Sequence, residues 1–357
     1  MLEALDRISS GQKLSQQDEQ EALDELEAFE CWKPIFRYLD QVIASGTPSS
    51  LAPAYARLIR IRLQYFDDVS TAQALAADLV RRCRLDFAGF RDKVLTDPVI
   101  PGMAAGPEAA VLDAVIDAFG SVSDRVQCLD RLVSVYEKKL FNEVRLHQVF
   151  EKLIQIDPDN VKALRYFKIA FSQNGDWEQV SRVLKRLLNV ARSAQEKYRL
   201  AQDLAYNLVY HQDQPRDALV VLDRYCRESP LDVSQIEFDA AHRTGDRDRC
   251  INVLKAALSH VRDDAGRAII HFRMAGLLRQ LGQSRECERH LRESIATWPV
   301  FLDPFETLIQ LFLEEQRWED VGNTLNELAN RIQDQELVAQ VRQAAVRVQS
   351  AIAGGAK

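Results

Sequence analysis

Apolar and small residues recur along the chain in the spacing i, i+4, i+7, i+8, and nine copies of this series start 32 to 39 residues apart. The spacing places the four side chains of each copy on one face of an α-helix. The clearest copies begin at Leu146, Val180, Ala218, Cys250, Cys287 and Val321, and fainter copies begin at Ile35, Ala72 and Val111. A period in this range is typical of stacked helical units that cannot bury their apolar faces alone. The pattern therefore predicts an all-α fold, an α-solenoid of helix-turn-helix repeats.

Short polar turns divide the repeats into pairs of helices. Gly175, Gly245 and Gly282 stand in such turns, where glycine is suited to close the first helix of a pair. Between pairs, proline ends one hairpin and an acidic residue can cap the next helix, as in IDPDN at 156–160 and ESPLD at 228–232. This punctuation predicts two amphipathic helices in each repeat.

The segment at 160–191, NVKALRYFKIAFSQNGDWEQVSRVLKRLLNVA, resembles a tetratricopeptide (TPR) repeat. It has the apolar residues Leu164, Phe167 and Phe171 in its first helix, then a GDW turn, then the periodic series of the second helix. Similar phasing extends over residues 123–333. The resemblance implies a right-handed superhelix whose first helices line a concave groove, and a function in binding a protein or peptide partner.

The resemblance also indicates which residues would face that groove, namely first-helix positions that the core does not use. These are Lys162, Arg165, Tyr166, Ile169, Asn207, Tyr210, His242, Arg273 and Arg279. Tyrosine and arginine are frequent interface anchors, although ordinary solvated helix faces have the same composition. Arg165 stands near the position of the lysine with which some TPR proteins clamp a partner's C-terminal carboxylate. Ile169 replaces the clamp asparagine, so chaperone-tail binding is not expected.

Composition divides the chain into five segments. They are divergent N-terminal hairpins at 1–95, a Pro/Gly-rich insert at 96–107, the TPR-like array at 108–333, a capping helix at 334–352 and a disordered tail at 353–357. The insert, TDPVIPGMAAGP, cannot be helical throughout. The capping helix is predicted from one more amphipathic stripe, which would shield the last repeat from water. Whether residues 1–122 continue the superhelix or fold back as a separate module is open.

Charge and cysteine usage narrow the class of protein. The net charge of −7 disfavours nucleic-acid binding, which needs a basic face. The six cysteines include no CxxC pair, and three of them fall within the apolar series, so small buried thiols are expected. The first residues lack the regions of a signal peptide, and no apolar run is long enough to span a membrane. A cytoplasmic, bacterial protein is therefore expected.

Motifs for chemistry are missing from the sequence. It has no GxxxxGK[ST] phosphate loop, GxGxxG, HExxH or GxSxG. The six histidines form no pair at metal-ligand spacing beside a carboxylate, so they are expected to be isolated surface or packed residues. Neither enzymatic activity nor a cofactor nor a metal is predicted.

A protein-protein interaction scaffold or adaptor is the predicted function, with a partner segment held in the groove. One alternative is a regulatory sensor that closes around a peptide or small ligand, and another is a noncatalytic subunit of an enzyme complex. An RNA-binding helical repeat is disfavoured by the charge. The N-terminal hairpins could also mediate formation of a homo-oligomer.

Overall fold

The computed structural model describes residues 15–46, 48–96, 104–227 and 234–354, together with the single positions 3, 6 and 8. Over this part of the chain the structure is helical and contains no strand. Most of the predicted insert (97–103), the whole ESPLD segment together with residue 233 (228–233) and residues 355–357 lie outside the described residues.

Nineteen helices follow one another in the described residues. In chain order they are α1 Gln16–Ala28, α2 Trp32–Ser45, α3 Pro48–Tyr65, α4 Val69–Cys83, α5 Phe87–Phe90, α6 Ala105–Val115, α7 Val122–Val135, α8 Glu143–Ile156, α9 Val161–Gln173 and α10 Trp177–Val190. They continue with α11 Ala194–Tyr210, α12 Pro215–Tyr225, α13 Ser234–Thr244, α14 Arg247–Leu258, α15 Asp264–Gln280, α16 Ser284–Thr297, α17 Asp303–Glu314, α18 Trp318–Ala329 and α19 Gln335–Gly354. Short π-helical turns extend α5 at Arg91–Leu95 and α7 at Tyr136–Leu140, and a 3₁₀ turn, Ile116–Ala118, follows α6.

The helices from α1 to α18 form nine consecutive pairs, and each copy of the apolar series begins in the second helix of a pair. Eight of the nine starting residues are buried, and only Leu146 keeps partial exposure. The series therefore marks the face with which each second helix packs against its neighbours. The all-α fold of repeated helical hairpins predicted from the sequence is confirmed.

The turn inside the pairs repeats one backbone geometry. Gly175, Gly245 and Gly282 have φ values of 71°, 76° and 71°, in the left-handed region that glycine enters without steric cost. In the turn at Gly175, the backbone N–H of Asp176 donates to the Phe171 carbonyl across 2.9 Å. This bond satisfies a carbonyl at the end of α9 that has no partner within the helix.

The aspartate of the GD turns caps the second helix. The Asp176 side chain accepts from the backbone N–H of Gln179, and the Asp246 side chain accepts from that of Arg249. A side-chain acceptor at this position satisfies one of the unpaired N–H groups of the first turn and stabilises a helix by about 1 kcal/mol. Glycine and aspartate thus end one helix and start the next within two residues.

The chain divides into two compact units, residues 1–167 and 168–357, with the division inside α9. In the first unit, the core of the leading hairpins joins Leu26, Ile35, Leu39 and Ile61. In the second unit, successive first and second helices contribute to continuous clusters of buried aliphatic and aromatic residues. The boundaries predicted at residues 95 and 107 stay predictions, although α6 already begins at Ala105.

The last helix, α19, packs against α18, and its small residue Ala345 is fully buried. Val348 packs against the hydrophobic cluster that includes Val321 of α18, while Leu337 and Val346 are exposed. The capping role of this helix stays a prediction. The helix extends to Gly354, two residues beyond the predicted boundary.

All six cysteines are free thiols, and four of them are buried, namely Cys128, Cys226, Cys250 and Cys287. Burial raises the pKa of the Cys128 thiol to about 12, so this thiol stays protonated and packs as a small apolar group. Among the described helices, none combines the length and the apolar character that crossing a membrane requires.

Candidate functional site

The predicted groove residues lie on the first helices α9, α11, α13 and α15. Three of them belong to the first unit. The Lys162 ammonium lies 3.0 Å from the Asp130 carboxylate, which joins α9 to α7. The exposed Arg165 lies on the same helix. Both are therefore on the surface of α9, and Lys162 already has an ionic partner.

Tyr166, the third residue of this group, is half-buried and packs on the preceding hairpin. Its ring stacks on Phe150 with 4.2 Å between centroids, and its hydroxyl lies 3.2 Å from Nδ1 of His147. Burial is the main cause that raises the pKa of Tyr166. The residue therefore stabilises the contact between α8 and α9 and presents only part of its ring to solvent.

Asn207 is the predicted groove residue that the structure corrects. Its side chain is 3% exposed and donates to the Trp177 carbonyl and to Oγ of Ser181, both at 2.9 Å. Asn207 thus fastens α11 to the start of α10 and does not face a partner. Tyr206, its neighbour in the chain, is 50% exposed and occupies the outward position instead.

Tyr210 connects two successive first helices. Its hydroxyl donates to Oδ2 of Asp239 across 2.5 Å, and the Arg243 guanidinium lies 5.6 Å from the centre of its ring. Burial and the bond to Asp239 raise the pKa of Tyr210 to about 12, so the hydroxyl remains a donor at neutral pH. The contact fixes the spacing between α11 and α13.

The remaining predicted residues differ in how free they are to meet a partner. Ile169 is 56% exposed. His242 is exposed and stacks on Phe238, and Arg273 is also exposed. Arg279 forms an ion pair with Glu314 of α17. Ile169, His242 and Arg273 are thus accessible, whereas Arg279 joins two repeats.

An aromatic row that the sequence analysis missed runs across this part of the second unit. We use the name aromatic row for Trp177, His211, Tyr206 and Tyr210. His211 stacks on Trp177 with 3.7 Å between ring centroids, and Tyr206 contacts both His211 at 5.8 Å and Tyr210 at 4.7 Å. Tyr206 and Tyr210, four residues apart on a predicted helix, were the signal that could have indicated it.

A shallow cleft of about 350 Å³ lies where α11 turns into α12. It is lined by Asp213, Gln214, Pro215, Arg216, Asp217, Arg243 and Thr244. Arg243 belongs both to this cleft and to the end of the aromatic row, where it faces Tyr210. Its Nη1 donates to the Val209 carbonyl across 2.6 Å, which holds the guanidinium in place. The row and the cleft are therefore adjoining parts of one surface.

Two histidines that the sequence analysis treated as isolated form a buried pair. Nδ1 of His271 on α15 lies 2.9 Å from Nδ1 of His290 on α16. Burial lowers the pKa of both rings, that of His290 to about 4, with Arg289 as the next cause there. Both rings are neutral at pH 7, so one donates and the other accepts. Among the described residues, no group of three or more potential ligands is arranged to hold a metal ion.

Comparisons with known proteins add the following. No protein-family profile matches the chain, and no curated protein matches it. The fold is similar to that of yeast Tom70 (14% identity, TM-score 0.31, covering 85% of this chain and 59% of that chain). It is also similar to the APC/C heterotetramer Cut9–Hcn1 (13% identity, TM-score 0.29, 88% and 59%). A third similar structure is YrrB, a TPR protein with an unusual peptide-binding site (14% identity, TM-score 0.23, 66% and 99%).

The chain spans 59% of the length of each of the first two structures. The described residues form an all-α array of paired helices whose repeating turns resemble those of a TPR array.

Proposed function

We propose that this chain is a non-enzymatic scaffold that binds a segment of a partner protein on the first-helix surface of its second unit. The aromatic row is the observation that supports this proposal most. Tyr206, which is 50% exposed, offers a rigid ring with a polar tip, and Trp177 and the exposed His211 extend the aromatic area beside it. Rings of this kind anchor partners at a low cost in conformational entropy.

An ion pair and a hydrogen bond between successive first helices support the same proposal. Lys168 of α9 pairs with Asp203 of α11 at 3.0 Å, and Tyr210 of α11 bonds to Asp239 of α13. A surface whose helices are already held in register loses little freedom when a partner binds, which favours affinity. Arg243, fixed at the edge of the cleft, adds a cationic donor for a carbonyl or carboxylate of the bound segment.

The test compares two full-length variants with matched chemistry. Ile169→Ser with Tyr206→Ser removes the two most exposed apolar side chains of the proposed surface, and both residues are at least half exposed, so the fold should persist. Val220→Ser removes an apolar side chain that is 65% exposed on the second helix α12. Circular dichroism would verify that both variants are folded.

Affinity capture from native lysate followed by quantitative mass spectrometry is the measurement. We expect a partner whose recovery falls about tenfold or more with the Ile169/Tyr206 variant and is unchanged with Val220→Ser. Equal recovery with both variants would show that the first-helix surface is not the binding surface. A wild-type chain that recovers no specific partner would contradict the scaffold itself.

A further inference from the structure

A second aromatic surface lies in the first unit, at the turns of the two leading hairpins. We call it the turn patch and define it as Phe29, Trp32, Tyr65 and Phe66. The Trp32 ring lies 4.6 Å from that of Tyr65 and 5.5 Å from that of Phe66, measured between centroids. Phe29, Tyr65 and Phe66 are 58%, 50% and 42% exposed.

The turn patch lies on buried core residues, and one of its rings, Phe66, already has the Arg62 guanidinium 5.8 Å from its centre. Trp32 and Phe36 pack against the core of the leading hairpins, and the Phe36 ring contacts Phe66 at 5.5 Å. The Arg62 guanidinium lies 4.3 Å from the centre of the Phe36 ring. Neighbouring exposed aromatic side chains on a firm base mark interaction sites more often than scattered exposed residues do.

The two hairpins that carry the turn patch are acidic as a whole, which favours a cationic occupant. Residues 15–68 contain ten carboxylates and only five basic side chains, so this stretch carries −5 of the chain's net charge of −7. Three of the five basic residues are already engaged, since Arg57 and Arg60 pair with Glu27 and Arg62 pairs with Asp68.

Two exposed carboxylates directly follow exposed rings in the chain. Glu30 follows Phe29 and Asp67 follows Phe66, and both residues are exposed and hold the left-handed conformation of the turn, with φ values of 55° and 50°. The turns of two successive hairpins thus repeat the same combination, an exposed aromatic ring followed by an exposed carboxylate.

We propose that the turn patch binds a basic segment of a partner protein, in which an arginine or lysine stands next to an apolar side chain. The cation would lie against an exposed ring and near Glu30 or Asp67, while the apolar neighbour would cover the other rings. The acidic surroundings repel anionic partners such as nucleic acids and anionic membranes. They also oppose the same face of a second copy, because like charges would meet.

The turn patch and the aromatic row share no residue and belong to different units, so this proposal does not rest on the proposed function. The probe is a short fluorescein-labelled peptide in which arginines flank leucine and tryptophan. A matched peptide carries glutamate in place of each arginine. Fluorescence anisotropy with the full-length chain measures both affinities, at low and at moderate salt.

Three variants accompany the wild type. Phe29→Ser with Tyr65→Ser removes two exposed rings without entering the core, and Glu30→Lys with Asp67→Lys reverses the adjoining charge. The matched control is Val144→Ser, an exposed apolar residue at the start of α8 in the same unit. Circular dichroism checks that each variant keeps its helices.

We expect the wild type to prefer the arginine peptide by about tenfold or more and to lose affinity as salt rises. The ring variant should weaken binding by about tenfold, the charge variant by about fivefold, and the control variant should change nothing. Equal affinity for the two peptides, no binding of the arginine peptide, or unchanged binding by the ring variant would overturn the proposal. Self-association of the wild type that the ring variant abolishes would overturn it in favour of a second copy as occupant.

Discussion

The leading hairpins of the first unit and the hairpins of the second unit use the same backbone turn with different side chains. In the second unit, Gly175, Gly245 and Gly282 occupy the left-handed position in three of the turns, and Asp213 and Gln316 occupy it in the other two. In the leading hairpins, Glu30 and Asp67 occupy it, although a side chain makes this conformation costly.

Because the turn recurs with either kind of residue, the packing of the paired helices determines its geometry, and the residue adapts to it. The Cys31 N–H bonds to the Leu26 carbonyl across 2.9 Å after Glu30, as the Asp176 N–H bonds to Phe171 after Gly175. The side chains at the turns of the leading hairpins are thus available for a surface role, whereas in the second unit the exposed ring of Tyr206 lies on the first helix α11.

The two regions also differ in the polar groups that they bury. The leading hairpins bury an ion-pair cluster, in which the Glu27 carboxylate accepts from Arg57 and Arg60 at 2.5 and 2.6 Å. The second unit buries the neutral His271–His290 pair. We therefore expect the stability of the leading hairpins to depend most on the ion-pair partners, and the stability of the second unit to depend on pH.

The largest expected effect is that of Glu27→Gln. Removing this buried carboxylate leaves Arg60 without its charged partner and Arg57 with only the exposed Asp24, and we expect the free energy of unfolding to fall by about 3 kcal/mol. Asp24→Asn removes an exposed carboxylate that pairs with the same Arg57, and should cost under about 1 kcal/mol. Urea denaturation measures both variants, and equal losses would show that burial does not distinguish these two carboxylates.

An intermediate effect is expected from acidification of the second unit. The pKa of each paired histidine is lowered in the folded state, so the unfolded chain takes up protons first as the pH falls below 6.5. The contribution of the pair is complete above that pH and is lost towards pH 4, by about 1 to 2 kcal/mol between pH 7 and pH 5 for His290.

Urea denaturation at the two pH values checks this dependence. His271→Gln with His290→Gln retains hydrogen-bonding groups but cannot titrate, so its stability should depend less on pH than that of the wild type. His260→Gln, at an exposed position, is the control and should behave as the wild type does. A pH dependence that persists unchanged in the double variant would exclude the pair as its source.

The smallest effects are expected at the turns, and they should have opposite signs in the two regions. Gly245→Ala places a Cβ on a backbone with φ of 76° and should cost about 1 kcal/mol. Glu30→Gly relieves the same strain and should stabilise the chain by about 0.5 kcal/mol, after the added entropy of the unfolded chain is counted. Thermal unfolding measures both changes. Destabilisation by Glu30→Gly would contradict the view that both regions share one turn in which a side chain is strained.

The sequence predicts the helical pairs well because the apolar series has a direct physical cause. A residue such as Val180 or Cys287 recurs at its place because every second helix must bury the same face. The left-handed turn at Glu30 could not be predicted, since glutamate does not favour that conformation.

The candidate site was predicted less well, for two reasons. A helical pattern fixes the outward direction only to within one residue. Asn207 was therefore predicted to face outward, although its neighbour Tyr206 does so in the structure. The turn patch joins Trp32 to Tyr65, residues far apart in the chain, and only the stacking of two hairpins brings their rings together.

Site-specific photo-crosslinking tests the central claim, partner binding on the first-helix surface of the second unit, most directly. A photoreactive amino acid would replace Tyr206 in one version of the chain and Val220 in another, and both would be irradiated in native lysate. We predict a discrete crosslinked partner, identified by mass spectrometry, from position 206 and none from position 220. A partner captured from position 220 and absent at position 206 would contradict the account.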